Sequence, residues 1–261
     1  MALGLLLVVP GCGRDLEQAS SGGEAELTVA AASSLAVVVQ GLLDGWAEAG
    51  GSPARLTLGP SSTLARQLEE GAPYEVFLSA DERWIDELIG SGRLDAASRV
   101  ELAQGRLVVA VQAGLAAGSA RTTAASATDG VFPDGRWATG DPAFVPLGQY
   151  AREALVARAE WSTLSTRMIP AGSARAALRL VERGEVDWGV LYRSDAAGSA
   201  KVRVLFEVGE ELHRPIRYCA AATPRAGASA RRFLDELAGR EATERFAAHG
   251  FAPRAGGGRQ R

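Results

Sequence analysis

Two pairs of serines stand where helices are predicted to begin. Ser33 and Ser34 follow the apolar segment 27–31, and Ser61 and Ser62 follow a short strand and a Gly-Pro break. A helix start carries unpaired N–H groups and the positive end of the helix dipole, so it favours an anion. Serine hydroxyls there add neutral hydrogen-bond donors. A single serine at such a position is ordinarily no more than an N-cap.

Two further junctions of the same kind lie in the second half of the chain. Pro146 and Leu147 open one predicted helix, and Ser173 and Ala174 open another. Tyr192 ends the strand-like run W-G-V-L-Y. Ligands of α/β proteins gather at the carboxyl ends of strands, where these junctions lie. With two junctions from each half, we expect a cleft between two lobes that closes on an anion.

The elements that position these groups alternate between strand and helix. Apolar residues recur at helical spacing after Ser34, as far as Trp46. The alternation predicts βαβ units, a mainly parallel sheet and the α/β class. The 261 residues show no internal repeat and suit two lobes of about a hundred residues each. Strands are predicted at 27–31, 56–58, 75–78, 106–111, 136–139, 188–192, 202–206 and 216–221, and helices at 34–49, 61–70, 82–91, 148–158, 174–183 and 227–248.

Composition excludes several classes of protein. The net charge of −3, without a polybasic run, argues against nucleic-acid binding. Two cysteines form no disulfide framework, and no His/Cys cluster indicates a protein-ligated metal or a cofactor. The alternative among enzymes is a serine hydrolase, with Ser34 or Ser61 as the nucleophile. The sequence argues against it, because the chain lacks a G-x-S-x-G motif and neither His213 nor His249 lies in a triad context.

The N-terminus reads as a targeting segment. Residues 1–12 are apolar and too short to span a bilayer. Their end, V-P-G-C, resembles a bacterial lipoprotein cleavage site, which predicts lipidation of Cys12 and a flexible tether over 13–25. An ordinary cleaved signal or a misplaced start codon stays open, because no Lys or Arg precedes the apolar run.

Five motifs in order carry a family resemblance that spans residues 27–251. They are A-A-S-S-L (31–35), S-S-T-L-A-R-Q-L-E-E-G-A-P (61–73), F-L-S-A-D (77–81), G-D-P-A-F-V-P-L-G-Q-Y-A-R-E-A-L (140–155) and G-V-L-Y-R-S-D-A (189–196). The chain is similar to the periplasmic molybdate-binding receptors of ABC importers. This resemblance implies a receptor and not an enzyme, with molybdate or tungstate as ligand and importer permease subunits as partners. It also implies a monomer in the periplasm or at the cell surface.

The resemblance further implies a type II periplasmic-binding-protein fold, with two α/β lobes joined by two crossover strands. The first lobe would comprise 26–107 and 217–261, and the second 108–216, after a signal and tether at 1–25. In that family neutral donors hold the oxyanion. The corresponding groups here are the hydroxyls of Ser34, Ser61 and Tyr192 and the backbone N–H groups of Leu147 and Ala174, with Ser33 and Ser62 as possible additions.

The chain departs from the family pattern at three positions, and the ligand has alternatives. Ser33 adds a hydroxyl where the family has Ala, Pro60 removes an N–H beside Ser61, and Leu147 replaces a small residue. An inward Leu147 side chain would make the site smaller. A receptor for sulfate or phosphate stays open, and a carboxylate in the cleft would favour phosphate. A regulatory ligand-sensing domain would need a DNA-binding segment for which the chain has no room.

Overall fold

Strands and helices alternate in the computed structural model, which describes residues 26–114 and 130–254. The strands are β1 Leu27–Ala32, β2 Ala54–Gly59, β3 Val76–Ser79, β4 Val100–Gly105, β5 Leu107–Gln112, β6 Trp137–Gly140, β7 Met168–Ala171, β8 Trp188–Tyr192, β9 Val202–Glu207 and β10 Ile216–Ala222. The helices are α1 Ala36–Glu48, α2 Ser61–Glu69, α3 Glu82–Gly90, α4 Pro146–Ala157, α5 Trp161–Leu164, α6 Ala174–Glu182, α7 Arg193–Ala197, α8 Ala228–Leu237 and α9 Arg240–Ala248. The predicted α/β class is confirmed.

Two five-stranded sheets form the centres of two lobes. The first lobe has the order β2-β1-β3-β10-β4, and the second has the order β7-β6-β8-β5-β9. In the first sheet β1 runs parallel to β2 and β3, whereas β10 runs antiparallel to β3 and β4. The second sheet repeats this mixture, with β6 parallel to β7 and β8 and with β5 antiparallel to β8 and β9. Four of the five strands in each sheet therefore run in the same direction, as the predicted mainly parallel sheet requires. The one reversed strand in each sheet, β10 or β5, is the strand that follows a passage between the lobes.

The chain passes between the lobes twice. The first passage is the single residue Arg106, between β4 and β5, and the second joins β9 to β10. Arg106 forms an ion pair with Glu210 of the second passage, so the two crossings lie side by side. The predicted lobe boundaries each fall one residue inside a strand, because Leu107 begins β5 and Ile216 begins β10. We retain the division of the chain into these lobes as a proposal.

Local sequence explains why the elements begin and end where they do. Helix α1 buries the apolar side that its spacing predicts, including Val38, Leu42 and Trp46. It ends before Gly50, whose φ of +79° favours glycine. Asp81 caps α3 through its side chain, which accepts a hydrogen bond from the Arg83 N–H.

Two strands are absent from the predicted set. Strand β4 alternates polar and apolar residues, V-E-L-A-Q-G, and is half-buried. Strand β7, M-I-P-A, contains Pro170, which argues against a central strand. The structure places β7 at the edge of the second sheet, where a missing N–H is tolerated.

The predicted signal, the Cys12 anchor and the tether lie outside the described residues, as does the tail from 255 onward. Among the residues that the structure describes, no helix combines the length and apolar character needed to cross a bilayer.

Candidate functional site

A small cavity lies between the two lobes, and all five of the sequence-predicted donor positions line it. Ser34 and Ser61 come from the first lobe, and Leu147, Ala174 and Tyr192 come from the second. Helix α6 also contacts the turn Ser33–Leu35 across the lobe interface. The structure therefore brings together groups that are as far apart as 158 positions in the sequence.

The rest of the cavity wall is apolar or backbone. None of the described residues that line the cavity has a charged side chain. The centre of a water molecule has about 10 Å³ in which to move there, which is about the space of one water. Such a space is too small for an organic solute. Besides the five donors and Ser33, the wall consists of Ala32, Gly59, Pro60, Ala80, Val145 and Pro146.

Ser34 lies in the 3₁₀ turn Ser33–Leu35 between β1 and α1. It is 9% exposed, and its hydroxyl has no hydrogen-bond partner among the described residues. Neither the turn nor α1 begins with a side-chain cap. The hydroxyl is thus not used as an N-cap and can donate to a ligand, since an unpartnered buried hydroxyl costs about 1–3 kcal/mol.

Ser61 is held by the neighbouring strand. Its hydroxyl oxygen accepts a hydrogen bond from the Ala80 N–H at 3.0 Å, which leaves the hydroxyl hydrogen available. Neither Ser61 nor Ser62 is the N-cap of α2, because that position is Pro60, where no side-chain cap bond is made. Pro60 fixes the extended backbone before the helix, so that Ser61 becomes the first helical residue.

The second lobe presents two helix N-termini to the cavity. Leu147 is the second residue of α4, after Pro146, and Ala174 is the first residue of α6. Helices leave the N–H groups of their first turn without intrahelical acceptors. Ser173 caps α6, because its hydroxyl oxygen accepts a hydrogen bond from the Ala176 N–H. The cap does not use the N–H of Ala174. Leu147 is fully buried and belongs to the main apolar cluster.

Tyr192 closes the cavity from the end of β8. It is 1% exposed, and its hydroxyl has no partner among the described residues. Burial, and then the neighbouring Tyr218, raise the pKa of the Tyr192 phenol well above its usual value. The phenol therefore keeps its proton and acts as a neutral donor at physiological pH.

Ser33 and Ser62, the two possible additional donors, lie in different surroundings. Ser33 is half-buried and lines the cavity. Ser62 is not among the lining residues, because its hydroxyl donates to the carbonyl of Phe144 in the second lobe. Ser62 therefore links the two lobes by a hydrogen bond and does not form part of the cavity wall.

Sequence reasoning gave no role to a group of charged residues beside the cavity, which we name the charged clasp (Asp81, Arg83, Glu153, Arg214). Asp81 Oδ2 accepts from Arg83 Nη2 at 2.8 Å and from Arg214 Nη2 at 2.6 Å. Glu153 of α4 pairs with Arg214. Burial by itself raises the pKa of Asp81, but hydrogen bonds from Arg83 and the charge of Arg214 hold that pKa below its usual range.

The clasp connects the lobes. Arg83 Nη2 also donates to Gln149 Oε1 of α4 at 2.8 Å, and the Arg214 guanidinium lies 4.2 Å from the centre of the Tyr150 ring. The motif F-L-S-A-D contained a signal, since an aspartate before Glu-Arg is a typical N-cap. No local sequence pattern indicates its partner Arg214, which lies 133 residues away in the chain.

No group of three or more His, Cys, Asp or Glu side chains able to hold a metal ion occurs within 26–114 and 130–254. The donor set of the cavity, which consists of hydroxyls and backbone N–H groups, is suited to an anion.

Comparison with known proteins agrees with this geometry. The sequence is 36% identical to the molybdate-binding protein ModA of Escherichia coli (strain K12), over 87% of this chain and 89% of that protein. It is 30% identical to the molybdate-binding protein ModA of Haemophilus influenzae, over 89% of this chain and 92% of that protein.

The fold matches that of the periplasmic molybdate-binding protein of Azotobacter vinelandii. The TM-score is 0.74 at 23% identity, with 88% of this chain and 100% of that chain covered. The two-lobe type II fold that the resemblance implied is thereby confirmed. The family described as bacterial extracellular solute-binding protein matches residues 27–252, and the chain belongs to that family.

Proposed function

We propose that this protein is an extracytoplasmic receptor that binds molybdate, and tungstate with it, between its lobes and delivers the anion to an ABC importer. The observation that carries the proposal is the convergence of five neutral donor positions on one uncharged cavity. Family membership and the relatives named molybdate-binding protein support it. The proposed ligand groups are Ser34, Ser61, Leu147, Ala174 and Tyr192, with Ser33 beside them.

Neutral donors can hold a dianion when enough of them are fixed in advance. A hydrogen bond to a charged group contributes about 1.5–3 kcal/mol net. Four or five of them offset desolvation and leave about −8 to −11 kcal/mol, which corresponds to a micromolar to nanomolar dissociation constant. The starts of α4 and α6 add their dipoles at the cavity wall.

The cavity favours a receptor over a serine hydrolase. Activation of a serine needs a base within hydrogen-bond reach. Neither histidine lines the cavity, and each has its Nδ1 next to a backbone carbonyl oxygen, that of Arg214 for His213 and that of Arg245 for His249. Ser61 therefore acts as a donor and not as a nucleophile.

The main alternative ligands are other tetrahedral oxyanions. A phosphate receptor benefits from an acceptor for the proton of the anion, and the described residues that line the cavity include no carboxylate. Sulfate differs from molybdate mainly in size, since its oxygens lie closer to the central atom. Donors fixed on helix starts and strand ends can select between the two anions by this difference.

We also propose that the receptor acts as a monomer and is anchored to the membrane by lipid on Cys12, as the V-P-G-C segment predicts. Mass spectrometry of membrane-extracted protein tests the anchor. A diacylglyceryl mass on an N-terminal Cys12 is expected, and an unmodified Cys12 contradicts it.

Calorimetric titration with molybdate, tungstate, sulfate and phosphate tests the function. We expect micromolar or tighter binding of molybdate and tungstate and much weaker binding of the other two. Ser61→Ala should weaken molybdate binding about tenfold or more. The matched control is Ser91→Ala, because Ser91 is exposed immediately after α3 and its hydroxyl donates to the Leu88 carbonyl. Absence of heat with both molybdate and tungstate would overturn the proposal.

A further inference from the structure

Directly behind the cavity lies a third buried hydroxyl that lacks a well-aligned partner. Tyr218 of β10 has an exposed fraction of 0%, and it is not among the residues that line the cavity. Its hydroxyl, like those of Ser34 and Tyr192, makes no hydrogen bond of good geometry with a described residue. Buried polar groups without partners are rare in folded proteins, so three in one place require an explanation.

The Tyr218 ring is held on several sides. It packs edge-to-face against Tyr192, with ring centres 5.9 Å apart, and against Phe251, with ring centres 4.9 Å apart. A Cβ at Gly105 would lie 2.6 Å from the Ile216 side chain and 2.9 Å from the Tyr218 ring, so only glycine leaves room for both there. The position of the hydroxyl is therefore set by packing and not by a hydrogen bond.

The hydroxyl of Tyr218 lies beside those of Ser34 and Ser194. Burial and the charge of Asp195 raise the pKa of the Tyr218 phenol, whereas hydrogen bonding with Ser34 and Ser194 lowers it. Burial dominates, so Tyr218 keeps its proton and stays a donor. The Ser34 and Tyr218 hydroxyls are thus neighbours, but neither makes a hydrogen bond of good geometry with a described residue.

A serine hydroxyl has one hydrogen. When that hydrogen is donated to an anion, the oxygen is free to accept from another donor, and such a chain of hydrogen bonds strengthens each member. The buried Tyr218 phenol is placed to be that second donor for Ser34. Its ring also supports the ring of Tyr192, a proposed ligand from the other lobe.

We propose that Tyr218 is a positioning residue of the anion site. Its hydroxyl directs the Ser34 hydrogen into the cavity, and its ring holds Tyr192 in place. The inference rests on the proposed function. Because Tyr218 follows the second passage between the lobes and touches a group from each, it connects the two halves of the site.

Tyr218→Phe tests the role because it removes the hydroxyl and keeps the ring contacts. We expect about tenfold weaker molybdate binding in calorimetry, as for loss of one buried hydrogen bond, with an unchanged melting temperature of the ligand-free protein. Tyr74→Phe is the matched control, since Tyr74 lies in the first lobe and its hydroxyl donates to Gln67 at the far end of α2. Its molybdate affinity should stay unchanged.

A double-mutant cycle separates positioning from general packing. If Tyr218 acts through Ser34, then Tyr218→Phe should have little further effect in a Ser34→Ala background. Gly105→Ala provides a second variant, because it keeps the hydroxyl and crowds the ring. It should weaken molybdate binding in the wild-type background more than in the Ser34→Ala background.

The outcomes are distinguishable. Wild-type protein that binds neither molybdate nor tungstate overturns the proposed function and the inference together. Wild-type binding with undiminished affinity in Tyr218→Phe, or with fully additive losses in the cycle, overturns the inference alone.

Discussion

Two cavities between the lobes differ in a way that runs against simple electrostatics. The larger gives the centre of a water about 400 Å³ and is lined by Arg83, Arg152 and Arg214, yet two of these three arginines are held in ion pairs. Arg83 and Arg214 are held by the charged clasp, and Arg152 lies 5.7 Å from the ring centre of Trp161. The smaller cavity has no charged side chain among its described lining, but the hydroxyls of Ser34 and Tyr192 there lack partners among the described residues.

The difference indicates that the paired charges and the neutral donors have separate roles. Charges that are already paired join the lobes and have little left to offer an anion. Unpaired neutral donors, fixed by strand ends and helix starts, are ready for one. Substitutions in each of these two groups of residues test this difference.

The largest expected effect is on stability, from Asp81→Ala in the clasp. Removal of this buried carboxylate leaves Arg214 and Arg83 without their shared partner, and breaking a buried pair costs about 3–5 kcal/mol. Urea unfolding measures the loss. The control is Asp86→Ala, whose half-exposed ion pair with Arg99 should contribute less than about 1 kcal/mol. Equal losses in both variants would show that the clasp is no more than surface charge.

A second buried aspartate sharpens the comparison because it lacks the clasp's pairing. Asp195 is 4% exposed, and Oδ1 lies 3.9 Å from Arg175 while Oδ2 has no partner among the described residues. Burial, helped by Glu182 and only partly opposed by Arg175, raises the pKa of Asp195 to about 7. Tyr192 and Tyr218 also face this carboxyl.

The two aspartates should shape the pH dependence of stability in opposite directions. The folded protein holds a proton on Asp195 that the unfolded chain releases near pH 3.8, so stability falls as pH rises from about 4 to about 7. The full penalty is on the order of 4 kcal/mol at about 1.4 kcal/mol per pH unit. The pKa of Asp81 is lowered, so its contribution is present above pH 3.8 and is lost as pH falls below that value.

Melting temperature against pH measures both trends. Asp195→Asn should remove the decline between pH 4 and 7 and make the protein more stable than wild type at pH 8. A wild-type curve that is unchanged by Asp195→Asn contradicts the burial argument. Asp187→Asn is the matched control, since Asp187 accepts from the Arg136 N–H in an exposed setting.

Tyr192→Phe should separate binding from stability. Loss of this donor should weaken molybdate binding about 10- to 100-fold, because a bond to a charged group is removed. The ligand-free protein should be equally stable or more so, since an unpartnered buried hydroxyl disappears. Calorimetry and thermal melting give the two numbers. Reduced stability with unchanged affinity would make Tyr192 a packing residue.

The smallest effect is expected from Ser62→Ala. This hydroxyl bonds the Phe144 carbonyl across the lobes and does not line the cavity. Its loss removes one interlobe bond of about 0.5–1.5 kcal/mol, so molybdate affinity should fall about 2- to 10-fold through a smaller closed population. Small-angle scattering should show less compaction at subsaturating molybdate than for wild type. A loss as large as that of Ser61→Ala would place Ser62 among the ligands.

The sequence was informative where local patterns decide the structure. Serines and prolines at strand-to-helix junctions predicted which segments meet at the cavity, because helix starts have recognisable chemistry. The choice of the five donor groups came from the family resemblance. Sequence could not decide which way Ser62 points, since that depends on a carbonyl 82 residues away in the other lobe. The Asp81–Arg214 pair and the support of Tyr192 by Tyr218 were missed for the same reason.

Anomalous X-ray scattering from a crystal of the molybdate complex shows which of the two cavities holds the molybdenum atom. We expect one strong peak within the neutral cavity, with the anion's oxygens in hydrogen-bond reach of Ser34, Ser61, Tyr192 and the N–H groups of Leu147 and Ala174. A peak against Arg83, Arg152 and Arg214 instead would contradict this expectation.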